Sequence, residues 1–238
     1  MSYLYVRQKS NDYFSVLTEM SDNIMVDSGA HTFQHGKSLN DDIDWYQYTR
    51  EYVQWIKEND NDKVVGYFEM DIDNVIPYEQ VKELRAMLYE ATDKIIPVWH
   101  KTLGIDEFKN MVAETRSGIV AITGFGTKKS ELDIRRDQYN LFVNYAHEHG
   151  VKIHGLGLTR DNVLKKVHFD YVDSSSWKNS GVFGGVAKFD GNKIVTKGLK
   201  GKKAIQTNYK EIWRNNMREW RKYLRFMRYY WNVKERKN

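Results

Sequence analysis

The chain has 238 residues, a formal net charge of +5, 41% hydrophobic and 14% aromatic residues, two prolines and no cysteine. That length and apolar content suit a folded core and exclude a disordered chain, while the missing cysteines exclude disulfides and any cysteine-ligated metal. No apolar run approaches the about eighteen residues of a membrane span, and the first dozen residues hold no leader pattern, so a cytoplasmic protein without a membrane partner is expected.

In chain order, short apolar runs at Tyr3–Val6, Ile24–Asp27, Val64–Asp71, Ile95–His100, Ile119–Thr123, Ile153–Leu158 and Tyr171–Ser174 read as strands. Segments of helical period lie between most of them: Trp45–Lys57, Tyr78–Ala91, Ile105–Glu114, Arg135–His149 and Asp161–Val167. Strands alternating with helices of this length predict right-handed βαβ units around a parallel sheet. Near-continuous apolar runs such as VVGYF and GIVAI fit strands buried on both faces. Seven strand signals fall one short of an eight-stranded (β/α) barrel of the TIM type, and a doubly wound open sheet is the alternative. GFGTK at 124–128 lacks the dinucleotide spacing, and no phosphate-binding loop motif occurs.

Beyond the strands, residues 182–198 read as two strands around Asp190-Gly191, a dipeptide suited to a two-residue hairpin turn. A long helix is predicted from about Tyr209 to Trp231. The hairpin and this helix read as appendages to a single domain. Residues 188–238 hold 16 Lys and Arg against four Asp and Glu, a net +12, which leaves the first 187 residues at −7. Positive charge concentrated in this way attracts phosphate backbones. Arg214, Arg218, Arg221, Arg225 and Arg228 recur at helical spacing in one stripe, preceded by Lys200, Lys202 and Lys203. Beside them Trp213, Met217, Trp220, Leu224, Met227 and Trp231 form an apolar stripe, expected to face the core.

The predicted strand ends are loaded with polar residues: Asp27, Asp71, Asp73, His100, Gly124, Gly126 and Asp173. In barrels and open parallel sheets the C-terminal strand ends carry the active site. A single strand-terminal Asp also fits a helix cap. Several carboxylates converging on one mouth suit acid, base and nucleophile work, because neighbouring charges push their pKa values apart; hard-cation binding by the same oxygens is the alternative.

The ordered motifs DSGAHTF at 27–33, FEMDID at 68–73, PVWH at 97–100, TGFG at 123–126, HGLGLT at 154–159, YVDSSSW at 171–177 and FDGNKIV at 189–195 together resemble the tRNA-guanine transglycosylase superfamily. Within it they look most like the shorter phage-type members that place 7-deazaguanines in DNA. The resemblance spans about residues 24–200, and no one motif is specific alone. It implies a barrel enzyme that exchanges guanine for a 7-deazaguanine, such as 7-cyano-7-deazaguanine, in queuosine-related chemistry. Asp173 would be the nucleophile and Asp27 the general acid/base. Asp71 would read the edge of the base, with Asp73 as its substitute. His31, His100, Gly124, Gly126, Leu156 and Gly157 would line the base site.

Departures from the family narrow the substrate. The family's zinc site needs three cysteines, so neither metal nor cofactor is expected here, and the zinc-bearing insertion that supports tRNA binding is missing. Trp99 or His100 stands where an amide would read the base, and His31 or Phe33 where an aromatic would cover it. DNA is therefore favoured as partner, with tRNA as the alternative and the basic helix as its contact surface. Other readings of the same residues are a barrel glycoside hydrolase, an inactive or accessory DNA-binding protein, and a metal-dependent enzyme built on Asp71 and Asp73.

Overall fold

The computed structural model describes residues 1–9, 11–21, 23–34, 43–123, 138–198 and 208–235. It is a mixed α/β fold with parallel strands and intervening helices. The chain divides into two compact units, residues 1–122 with 149–151, and residues 123–148 with 152–238. Among the described residues no helix is long and apolar enough to cross a membrane.

The first unit opens with α1 (Tyr3–Val6) and α2 (Asn11–Met20). The run Tyr3–Val6 is thus a helical turn and not the expected strand. Its two buried residues, Tyr3 and Val6, are three apart, which places them on one helical face. Strands β1 (Ile24–Val26), β2 (Val64–Phe68) and β3 (Ile95–Ile96) form a parallel sheet in that order. Helices α3 (Trp45–Asn59) and α4 (Tyr78–Leu88) connect them. Asp44 caps α3 by accepting from the Gln47 amide.

Tyr48, Tyr52, Val53 and Ile56 of α3 join Val26, Tyr67 and Ile95 in one core. A buried tyrosine hydroxyl needs a partner, and here the partners are backbone carbonyls of β1 and of the turn that follows it. Tyr52 donates to the Val26 carbonyl at 3.2 Å and Tyr48 to the Ser28 carbonyl at 2.7 Å. The helix therefore grips the chain on both sides of Asp27.

The run Ile95–His100 is split at Pro97, which has no N–H to extend a ladder. Ahead of it β3 pairs with β2; beyond it β4 (Val98–Trp99) pairs with β5 (Ile119–Thr123), and α5 (Gly104–Glu114) lies between those two in sequence. The Val98 amide donates to the Glu69 carboxylate. Glu69, 1% exposed, in turn accepts from Arg85 of α4 through Nε at 2.6 Å and Nη2 at 3.2 Å. A buried, two-pronged ion pair thus ties the end of β2 to α4 and to the start of β4.

The second unit contains α6 (Tyr139–Glu148), β6 (Lys152–Leu156), α7 (Asp161–Leu164), β7 (Tyr171–Val172) and a short helix α8 (Ser176–Val182) that the sequence reading did not anticipate. β6 and β7 are parallel, with His154 opposite Tyr171. The hairpin is present as β8 (Gly185–Phe189) and β9 (Ile194–Gly198), but Phe189 pairs with Ile194, so four residues turn and not two. Asp190 Oδ1 accepts from the amides of Asn192 and Lys193, each at 2.9 Å, and closes that wider turn.

The last helix, α9 (Tyr209–Glu235), is amphipathic as expected but docks on a different stripe. Ile212, Asn216, Glu219, Tyr223 and Met227 are buried, whereas Met217 and Leu224, assigned to the core side, are 43% and 46% exposed. Polar residues enter the interface because they complete a strand edge. Asn216 Oδ1 accepts from the Ala187 amide at 2.7 Å and its Nδ2 donates to the Gly185 carbonyl at 2.9 Å. Asn215 donates to the Ala187 carbonyl at 2.9 Å, and Glu219 accepts from the Phe189 amide at 2.7 Å. These side chains serve the free edge of β8 in place of a third strand.

Candidate functional site

The predicted site residues fall into two groups, one in each unit. In the first, Asp27 follows β1 directly. Its backbone is held by the amino-terminal segment: the Asp27 amide donates to the Met1 carbonyl at 2.6 Å, and the Tyr3 amide donates to the Asp27 carbonyl at 2.7 Å. Its Oδ1 accepts from the Gly29 amide at 2.6 Å. Gly29 has φ +79°, and a Cβ there would lie 2.5 Å from Leu4 Cβ, so the turn that fixes this carboxylate requires glycine. His31 is exposed on a single 3-10 turn (Ala30–Gln34). Phe33, half-buried, packs edge-on against Trp45 and Tyr48 at 5.9 Å.

Asp71 and Asp73 follow β2, and His100 follows β4. The three side chains converge. His100 Nε2 lies 3.2 Å from Asp71 Oδ1, and Nδ1 lies 2.8 Å from Asp73 Oδ1. The side chains are only 18%, 15% and 6% exposed for His100, Asp71 and Asp73. Burial pushes the Asp71 carboxyl up to about 6; the charges of Asp73 and Asp27 add to that rise, and those of His100 and His31 oppose it. For His100 burial acts downward, and contact with Asp73 and Asp71 outweighs it, so the imidazole titrates above its ordinary range. His100 was expected to face a base; both its ring nitrogens instead face carboxylates. Trp99, the other candidate to read the base, is 2% exposed and donates through Nε1 to the Gly104 carbonyl at 2.7 Å. It is a core residue.

In the second unit Asp173 stands just past β7. One oxygen, Oδ1, meets His154 Nε2 at 3.1 Å and accepts from the Gly157 amide at 3.0 Å. Gly157, expected to offer its backbone to a base, therefore addresses the carboxylate; its φ of +66° turns the amide that way. His154 is 3% exposed, while the Asp173 side chain is 57% exposed. Burial of the carboxyl would raise its pKa, but the His154 and Gly157 hydrogen bonds outweigh that effect and hold it below the usual carboxylate range. The result is an ionised carboxylate, anchored on one side and open to solvent.

His154 is a residue that sequence reasoning did not single out. Its signal was positional: parallel pairing with Tyr171 puts it on the neighbouring strand end, within reach of a carboxylate two residues on. Leu156, half-buried, ends β6. Arg214, Arg218, Arg221, Arg225 and Arg228 are all exposed along α9. Gly124, Gly126, Lys200, Lys202 and Lys203 lie outside the described residues.

No protein-family model matches the chain, and no curated protein or solved structure is significantly similar to it.

Proposed function

We propose that the protein is a base-exchange transglycosylase of (β/α)-barrel type that replaces guanine in a nucleic acid, DNA before tRNA, with a 7-deazaguanine. The observation that carries this reading is Asp173: an exposed carboxylate kept ionised and oriented by His154 and the Gly157 amide through one oxygen. A carboxylate of this kind suits nucleophilic attack at an anomeric carbon. The order of motifs along the chain supports the substrate class.

The reaction is a double displacement. Asp173 attacks C1′ of the target nucleotide as the C1′–N9 bond breaks, and the electron pair departs with guanine, which takes a proton from Asp27. The incoming 7-deazaguanine gives its N9 proton to Asp27 and attacks C1′, releasing Asp173. Retention at C1′ follows from two inversions. The nucleotide must leave its stack to react, at a cost of a few kcal/mol, and the exposed arginines of α9 supply backbone contacts that offset it.

The test is incubation with labelled guanine and either DNA or tRNA. Incorporation by the native chain, a protein–nucleic acid adduct on a denaturing gel, and loss of both with Asp173→Asn are expected. An Asp173→Asn variant that still exchanges base would remove the assignment. DNA binding that survives loss of both carboxylates, with no exchange by the native chain, would mark an accessory binding protein.

A further inference from the structure

We propose that Asp71, Asp73 and His100 form a binding site for one divalent transition-metal ion of the zinc or manganese class. One ligand atom from each residue lies within 4.8 Å of the other two, and this group is the one of its kind among the described residues. Ligands about 2.0–2.2 Å from a shared zinc ion are mutually separated by no more than such a distance. The inference goes beyond the base-exchange reading, in which Asp173 and Asp27 do the chemistry, Asp71 or Asp73 reads the base and no metal takes part.

A second observation points to a ligand. Asp73 is 94% buried, since its side chain is 6% exposed. Its Oδ1 and His100 Nδ1 approach to 2.8 Å, yet neither atom makes a hydrogen bond of acceptable geometry among the described residues. Two polar atoms that close, buried and not aligned as N–H···O are placed as neighbours around a common centre. Buried polar atoms without such satisfaction cost about 1–3 kcal/mol each, so an arrangement of this kind needs a compensating partner.

Charge balance gives the same answer. Two buried carboxylates face one imidazole, which offers at most a single positive charge. Arg85, a buried cation of the same unit, is committed to Glu69. A divalent ion bound by two Asp and a neutral His neutralises the cluster and recovers the desolvation cost of both carboxylates. Imidazole among the ligands favours zinc over calcium or magnesium, which prefer oxygen alone, and the two carboxylates also suit manganese. Three protein ligands leave a coordination position open, as in zinc sites that act on a bound molecule.

The ligands are also held in place. Asp71 and Asp73 bracket the fully buried Ile72, whose amide donates to the Met70 carbonyl at 2.9 Å and whose carbonyl accepts from Val75 at 2.8 Å. His100 follows β4, whose first amide is fixed by Glu69.

The test uses the untagged full chain stripped with chelator, then loaded with Zn²⁺ or Mn²⁺ and desalted. Metal content is read by mass spectrometry and affinity by competition with a chromophoric chelator. One equivalent per chain is expected, with a higher unfolding midpoint in the presence of the ion and no such effect from Mg²⁺. Asp73→Asn and His100→Gln should each weaken binding by at least tenfold while keeping the far-ultraviolet circular dichroism of the native chain. Failure of the native chain to retain either ion at micromolar concentration overturns the proposal, whatever the variants do. So does stoichiometric binding that both variants preserve, which would place the ion at other histidines. Stabilisation by guanine without metal, lost in Asp73→Asn, overturns it too and returns the cluster to base recognition. Because no arm measures base exchange, the metal site and the transglycosylase reading fail separately.

Discussion

His154 and Asp173 form a buried-to-exposed pair: the imidazole is almost wholly enclosed, and the carboxylate it meets at 3.1 Å is more than half exposed. The histidine therefore acts as a fixed anchor and the aspartate as the presented group. His154 is a positioning residue in this scheme, since it touches Asp173 and not the substrate.

Removing that anchor has a signed consequence. His154 and the Gly157 amide hold the Asp173 value low. Exchange requires ionised Asp173, so activity is lost as pH falls through that value. His154→Ala raises the value and moves the acid limb of the kcat/KM profile to higher pH. Loss of orientation should lower kcat by about 10- to 100-fold. His154→Gln, whose amide can donate to Oδ1, should restore part of both. A purely structural histidine would change expression or unfolding midpoint and leave the acid limb where it was.

The same hydrogen bonds link to stability. The folded value of Asp173 lies below the unfolded carboxylate value of about 3.9, so its contribution is complete above that pH and fades as pH falls through the folded value. In Asp173→Asn the contribution is gone at every pH. Urea midpoints measured between pH 6 and pH 2 should fall less steeply for the variant. Parallel curves would mean that the folded and unfolded values are equal.

Glu69 and Arg85 give the largest expected stability effect. Burial raises the Glu69 value even against the guanidinium. Arg85→Met leaves this carboxylate buried without its partner, a change that costs about 3–5 kcal/mol in comparable pairs. Glu69→Gln combined with Arg85→Met removes the stranded charge and should recover a large share of the loss. Urea unfolding of the single and double variants checks this. A double variant no better than the single would locate the cost in packing.

Asn216 is the joint between α9 and the hairpin. It is fully buried and serves the Ala187 amide and the Gly185 carbonyl, and it also donates to the Trp177 carbonyl at 3.0 Å. Asn216→Leu strands these three backbone groups and should cost at least about 3 kcal/mol, at about 1–3 kcal/mol per unsatisfied group. Limited proteolysis should then cut first near α9. Stability within about 0.5 kcal/mol of the native chain, the usual size of a surface change, would contradict the edge-capping role.

Periodicity located the strands that become β1, β2, β5, β6 and β7 and each helix of ten or more residues except α2, because most of those segments bury an apolar face. It failed where backbone hydrogen bonding decides. Tyr3–Val6 is apolar enough for a strand but too short for its pattern to separate strand from helix. Pro97 was visible, yet nothing local told that the strand would change partners there. The buried stripe of α9 was misplaced by one helical position because the edge of β8 selects Asn216 and Glu219, which a hydrophobicity count treats as solvent-facing. At the site, Asp71, Asp73 and His100 were each named from strand ends, but their convergence on one another depends on strand order. His154 was missed for the same reason.

The arginine stripe is the part of the charge pattern that the fold leaves open to a partner. Arg214, Arg218, Arg221, Arg225 and Arg228 are exposed, and Met217, Leu224 and Tyr229 are exposed on the same helix. A surface that mixes guanidinium groups with apolar side chains suits a nucleic acid strand whose phosphates and bases are both accessible. Each phosphate contact adds about 0.9 to the slope of log affinity against log salt on duplex DNA and about 0.7 on single strands. Arg221→Glu with Arg225→Glu should therefore weaken binding and flatten that slope by about 1.4–1.8 units if both arginines meet phosphates. Leu224→Ala should weaken single-stranded binding and leave the slope unchanged, because an apolar contact releases no counterions. Fluorescence anisotropy across a salt series measures both. A charge-reversed pair that binds with the native slope would show that α9 faces solvent alone.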